Sequence, residues 1–212
     1  MSAPRPHTKR AYHHGNLRRD LITTAVEIIT KQGPHALTLQ KLAKRLGVSQ
    51  TASYRHFASK EALLAAVAGE GFAAILAVVK SEMDGAGDDV VARYQAVGAA
   101  YVRFALSHPA HFQVMYGERP AEFNVGVVAE AGRDAFKVFV DTIVACQRAG
   151  RASPGDPTWI AVQAWSQVHG LVVLYLRGLL PRKIDADKLC ALARHMTIFL
   201  HAELPPRPAK PV

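Results

Sequence analysis

TLQKLAKRLGVSQTASYRHFASKEALL, residues Thr38 to Leu64, holds two short helical patterns joined by a tight turn, with a third helix opening directly after them. Leu39, Leu42, Ala43 and Leu46 recur at helical spacing, so one side of the first helix is apolar while Lys41, Lys44 and Arg45 lie on the other. Gly47 stops that helix, because glycine takes the left-handed backbone conformation without a steric penalty. Val48 then turns inward, and Ser49 offers a hydroxyl to cap the next helix. That second helix, about residues 50 to 57, is too short and too polar for a core element. It gathers Gln50, Thr51, Ser53, Tyr54, Arg55 and His56. Two short helices joined by such a turn, the second presenting hydrogen-bonding groups, make the geometry that sets a recognition helix into the DNA major groove.

Charge points the same way independently of the motif. Residues 1 to 60 hold 11 Lys and Arg against 2 Asp and Glu, while residues 61 to 212 hold 15 of each, so the whole net charge of +9 lies on the first stretch. Clustered cations neutralise phosphates and give binding a steep salt dependence. The plain alternative is a solubilising surface. A membrane surface would call for a basic amphipathic helix with bulky apolar anchors, and none is evident here.

Gly47-Val48-Ser49, Tyr54-Arg55-His56-Phe57 and Ser59-Lys60-Glu61 stand in the order and spacing of a known signature. Over roughly residues 12 to 70 the chain resembles the TetR/AcrR-type transcriptional regulators. The resemblance implies that Gln40, Gln50 and Thr51 face base edges, that Thr38, Tyr54, His56 and Lys60 hold phosphates, and that Arg55 does either. Ser49 and Ser53 complete the expected hydrogen-bonding set. At position 52 this sequence carries alanine, where that family often places a polar contact, which leaves that position little beyond a thymine methyl to touch. The plain alternatives are solvation for Gln40 and Lys60, and packing for Tyr54.

Length and composition frame the rest. With 212 residues, half of them hydrophobic, the chain is large enough for one small domain and one larger one. Cys146 and Cys190 are isolated, and no signal peptide is recognisable, so a reducing cytoplasm is the expected setting. The longest apolar run, Gly71 to Val79, lies between Glu70 and Lys80 and is far short of spanning a bilayer, so no membrane association is expected.

The expected fold is all-α: a three-helix helix-turn-helix domain at residues 12–60 and a helical ligand-binding and dimerisation domain at 61–204. They are preceded by a disordered basic arm at 1–11 and followed by a flexible tail at 205–212. A first helix near residues 16 to 31 ends at Gly33-Pro34 and should buttress the motif. Ser59 caps a long helix running to the Gly85-Ala86-Gly87 break. Further helices are predicted at about 89–107, 110–116, 125–149, 156–180 and 185–203.

Within the second region, Trp165, His169 and Gly170 resemble the Trp-x-x-x-His-Gly pattern of one C-terminal subclass of the same family. The resemblance implies a homodimer through the last two helices and a cavity for a small-molecule inducer. The few charges from Trp159 to Leu180 fit burial against a partner. Phe72, Tyr101, Phe104, Phe112, Met115, Trp165 and His169 are the candidate pocket residues, each weighed against ordinary core packing. His169 stands out, since a buried imidazole needs a partner, either a ligand or a neighbouring helix.

No catalytic constellation, phosphate loop or cofactor motif appears, so neither an enzyme nor a cofactor is expected. His108 and His111 have no carboxylate or cysteine to complete a metal set, and Cys146 and Cys190 read better as inert thiols than as a redox pair. The sequence therefore predicts a dimeric, sequence-specific transcriptional regulator, in all expectation a repressor that leaves an inverted-repeat operator when an inducer binds. The competing reading is a nonspecific DNA-binding structural protein.

Overall fold

The computed structural model describes residues 16–117 and 126–196. The expected basic arm at 1–11, the tail at 205–212 and the part of the last helix beyond Met196 lie outside the described residues. Among the described residues every regular element is helical: α1 (Leu17–Gln32), a short 3-10 turn (Pro34–Ala36), α2 (Leu39–Leu46), α3 (Gln50–His56), α4 (Lys60–Gly85), α5 (Val90–Ser107), α6 (Pro109–Tyr116), α7 (Val127–Arg148), α8 (Pro157–Leu176) and α9 (Ala186–Met196). They form two compact units, and the boundary, between Leu63 and Leu64, falls inside α4.

In the first unit α1 packs against the 3-10 turn, α2 and α3. Its inward stripe of Leu21, Ile22, Ala25, Ile28 and Ile29 meets Leu37, Leu39, Leu42 and Ala43, all buried. Each large aliphatic side chain so buried contributes about 1.5–3 kcal/mol. Two polar ties supplement that core. The Arg45 guanidinium meets the Glu27 carboxylate at 2.7 Å, and the Lys41 ammonium donates to Gln32 Oε1 at 2.6 Å and to the Ala36 carbonyl at 3.2 Å. The α2–α3 turn is fixed by backbone chemistry. Gly47 is left-handed at φ 68°, its N–H reaches the Lys44 carbonyl, and the Val48 N–H reaches back to the Ala43 carbonyl at 3.0 Å. These two bonds are the Schellman pair that satisfies the last carbonyls of a helix.

In the second unit α5 is the hub, packed by α6, α7, α8 and α9. Its Ala96, Gly98, Ala99, Ala100 and Ala105 are buried, small residues that let neighbouring helices approach closely. Asp89 caps α5 by accepting from the Val91 and Ala92 amides at 2.9 and 3.3 Å. Glu82 of α4 takes Arg103 of α5 at 2.9 Å and Arg194 of α9 at 3.7 Å.

One sequence expectation changes. The helix expected to run to about residue 180 ends at Leu176, because Gly178, at φ 69°, closes it with another Schellman pair, its own N–H to the Tyr175 carbonyl and the Leu179 N–H to Leu174. By length and composition alone α4 and α8 could each cross a membrane, a test that the buried core helix of a globular protein also passes. Uninterrupted apolar runs understate such helices, whose few polar residues are scattered. In α4, Val67, Phe72, Ile75 and Val79 are buried in the protein. On α8, Trp159, Val162, Leu174 and Leu176 stay exposed.

Candidate functional site

Two sites emerge, one in each unit. The first is the outer face of α3. Ser49 caps this helix, its hydroxyl accepting from the Ala52 amide at 3.1 Å, and Thr38 caps α2 in the same way through the Lys41 amide at 3.1 Å. Gln50, Thr51, Tyr54 and Arg55, at positions i, i+1, i+4 and i+5 of α3, share one face and are all exposed. His56, Gln40 and Thr38 are exposed as well, and Lys60 is partly covered. Tyr54 is 53% exposed, so its ring is displayed rather than packed. Such a face offers amide, hydroxyl, phenol and guanidinium groups to a groove, and its only ionised group is a cation.

Ser53 departs from this set. It is 0% exposed, and its hydroxyl finds no hydrogen-bond partner among the described residues. One turn later Phe57 is also buried, and together they form the inward seam of α3, so Ser53 is corrected from a DNA-facing residue to a packing one. Arg18 of α1, which sequence reasoning missed, lies over the Phe57 ring at 5.3 Å from its centroid. Nothing in the local pattern singles out that arginine, because the contact joins residues far apart in the chain. Beyond α3, Ser59 caps α4 through the Ala62 amide at 3.2 Å. The Glu61 carboxyl is held below its usual range by its own backbone N–H and by the Ser59 hydroxyl.

The second site is a cavity of about 660 Å³ within the second unit. Its inner wall is apolar: Phe72, Ile75 and Val79 of α4, Val97 and Gly98 of α5, and Ala164 and Val168 of α8 line it and are buried. From α7 come Gly132, Phe136, Phe139 and Val140, together with Arg133 and Lys137. Gly132 matters sterically. A Cβ there would stand 3.2 Å from the Phe72 ring, so glycine lets α7 and that ring approach.

The pocket candidates divide. Phe72, Tyr101 and Trp165 line the cavity; Phe104, Phe112, Met115 and His169 do not. Phe104 is fully buried and stacks on His108 at 5.1 Å. Met115 packs where a side chain on Gly71 would have to go. Phe112 stacks on His169 at 5.5 Å. His169 has the protein partner that the sequence left open: its Nδ1 lies 2.7 Å from the Tyr101 hydroxyl. Tyr116 and Trp165 pack round the same imidazole at 5.2 and 5.9 Å between ring centroids. Burial lowers the His169 pKa and pushes the Tyr116 phenol up to about 12, so this aromatic cluster is neutral at physiological pH. Tyr116 and the α7 residues escaped the sequence reading. Phe136 and Phe139 carry the i, i+3 spacing that marks an inward stripe, but periodicity does not reveal whether such a stripe meets packing or a void.

Neither cysteine is activated, since burial pushes both the Cys146 and Cys190 thiols up.

Comparison with known proteins bears on both units. Residues 21–67 match the family model of bacterial regulatory proteins of the tetR family, and residues 94–197 match that of the tetracyclin repressor-like C-terminal domain. The class C tetracycline repressor of Escherichia coli is 49% identical over 51 residues, which is 24% of this chain and 23% of the repressor, so the match spans less than a quarter of that relative's length. Nucleoid occlusion factor SlmA of Aliivibrio fischeri is 26% identical over 174 residues, covering 77% of this chain and 85% of SlmA. Among solved structures, a protein of unknown function from Rhodococcus sp. RHA1 superposes with a TM-score of 0.79 at 34% identity, covering 90% of this chain and 97% of that one.

Proposed function

The chain belongs to the TetR family of bacterial regulatory proteins, and from that premise we propose that it is a dimeric, sequence-specific transcriptional repressor acting in the cytoplasm and released from its operator by a small molecule. The observation that carries the reading is the exposed face of α3, where Gln50, Thr51, Tyr54 and Arg55 stand together in the stretch that holds the chain's whole excess of positive charge. Gln50, Thr51 and Gln40 read base edges, Arg55 forks onto guanine or phosphate, and Thr38, Tyr54, His56 and Lys60 hold the backbone.

Dimerisation through α8 and α9 is supported by what one chain leaves uncovered. Trp159, Val162, Leu174 and Leu176 of α8 and Leu192 of α9 are all at least 40% exposed. A second copy would bury them symmetrically. Two recognition helices then dock about one helical turn of DNA apart, and a ligand in the cavity that shifts their spacing weakens binding, with a coupling of about 1–3 kcal/mol.

The competing reading is a DNA-binding protein of structural role without operator preference, which rests on the excess of positive charge carried by residues 1–60. Selection of bound fragments from random and genomic DNA separates the two. An inverted repeat bound about a thousandfold more tightly than scrambled duplex establishes the specific regulator, and equal binding to all duplexes establishes the structural protein.

A further inference from the structure

The cavity of the second unit is polarised. Its deep residues are apolar and covered: Ala164 is 1%, Val168 3% and Phe72 5% exposed. Where the lining reaches solvent it carries Arg133 and Lys137, one helical turn apart on α7, both exposed. No lining residue among those described is an aspartate or glutamate. Lys137 shares its charge with Asp141 at 2.6 Å, whereas Arg133 has no ion-pair partner among the described residues. Its planar fork of donors matches a carboxylate. A cationic guest would meet the Arg133 charge at the rim and no carboxylate in the described lining, and a neutral guest would leave the Arg133 fork to water.

We propose that the cavity takes an amphipathic organic anion, an apolar body carrying one carboxylate, with the body against the buried aromatic and aliphatic wall and the carboxylate at the rim on Arg133. This assignment rests on the reading of the cavity as the inducer site and names the chemistry of the inducer. A cavity of about 660 Å³ suits a body of ordinary small-molecule size. The wall itself is adaptable to two kinds of body: a flexible alkyl chain along Ile75, Val79 and Val168, or a flat ring against Phe72, Phe136 and Trp165.

Isothermal titration of the full-length protein with decanoate, tert-butylbenzoate, decanol and decyltrimethylammonium tests the proposal. Both carboxylates, or the one whose body fits, should bind about three- to tenfold more tightly than decanol, and the ammonium more weakly than all. Preference between the two carboxylates identifies the body. Arg133→Ala, an exposed change that spares the fold, should erase the carboxylate's advantage while leaving decanol affinity unchanged. Val140→Trp, which fills the cavity from α7, should abolish binding of all four. Decanol equal to both carboxylates, tighter binding of the ammonium, or an Arg133→Ala variant that keeps the full carboxylate preference would each overturn the assignment. An operator titration run in parallel keeps the two readings apart. Tight carboxylate binding with unchanged operator affinity would strike the inducer role and leave the ligand class standing. Operator release by decanol as readily as by decanoate would strike the ligand class alone.

Discussion

The Tyr101 hydroxyl and the His169 Nδ1, 68 residues apart in sequence, lie 2.7 Å from each other and tie α5 to α8 beside the cavity. Tyr101 is 8% exposed, so its hydroxyl has little access to water as a substitute partner, and the His169 ring is half-buried. Tyr101→Phe removes the hydroxyl and strands the imidazole nitrogen, and urea denaturation should register a loss of about 1–2 kcal/mol. Adding His169→Leu should recover part of that loss, because a pair of apolar groups leaves nothing unsatisfied. Strictly additive losses in the double variant would show that the two groups do not interact.

A pH dependence follows from two imidazoles. Burial holds His169 and His111 below the ordinary value of 6.5. His169 is faced by Tyr101, Phe112, Tyr116 and Trp165, and His111 by His108 and by Glu70 at 3.9 Å. A depressed folded-state pKa means that the unfolded chain takes up protons first. Their contribution is therefore complete above about pH 6.5 and is lost as pH falls toward the folded-state values. Melting curves should shift down between about pH 7.5 and about pH 5.5, and His169→Gln should make the shift smaller. A melting temperature that rises on acidification would contradict the sign.

On α3, burial separates residues that share a composition. Ser53→Ala should leave operator affinity intact and change stability by no more than about 1 kcal/mol in either direction, since its hydroxyl has no hydrogen-bond partner among the described residues to lose. Gln50→Ala should flatten discrimination among base substitutions in the operator. Lys60→Ala should weaken all duplexes alike and lower the salt slope by about one unit. Gel-shift titrations across salt and sequence give all three answers, and a Ser53→Ala variant deficient in DNA binding but fully folded would restore that hydroxyl to the interface.

Gly47→Ala is expected to cost about 1–2 kcal/mol, because position 47 is left-handed at φ 68° and open in space, leaving backbone strain as the whole penalty. Hydrogen exchange should show the loss first at the Val48 amide that bonds to Ala43. Unchanged protection there would mean that the turn is held by something other than its Schellman pair.

The first unit was legible in the sequence because its determinants are local. Thr38, Gly47, Ser49 and Ser59 each act on a backbone group within five residues, so their spacing alone gives helix, turn and helix. Ser53 misled for the complementary reason: polarity argues for the outside, whereas its position one turn before the buried Phe57 argues for the inside, and the second consideration prevailed. The cavity was only partly legible. It is assembled from α4, α5, α6, α7 and α8, and a void is a property of how five helices fail to meet, which leaves no periodic trace in any one of them. Phe72, Tyr101 and Trp165 were found by their chemistry, while Gly132 and Arg133 emerge only once α7 is in place.

The left-handed turn at Gly47 also has a genetic side. Every single-base change of a glycine codon that alters the encoded amino acid installs a Cβ, and no such replacement adopts φ 68° as readily as glycine. Position 47 therefore has no conservative missense neighbour, and the joint between α2 and α3 can drift in sequence only by way of a less stable protein.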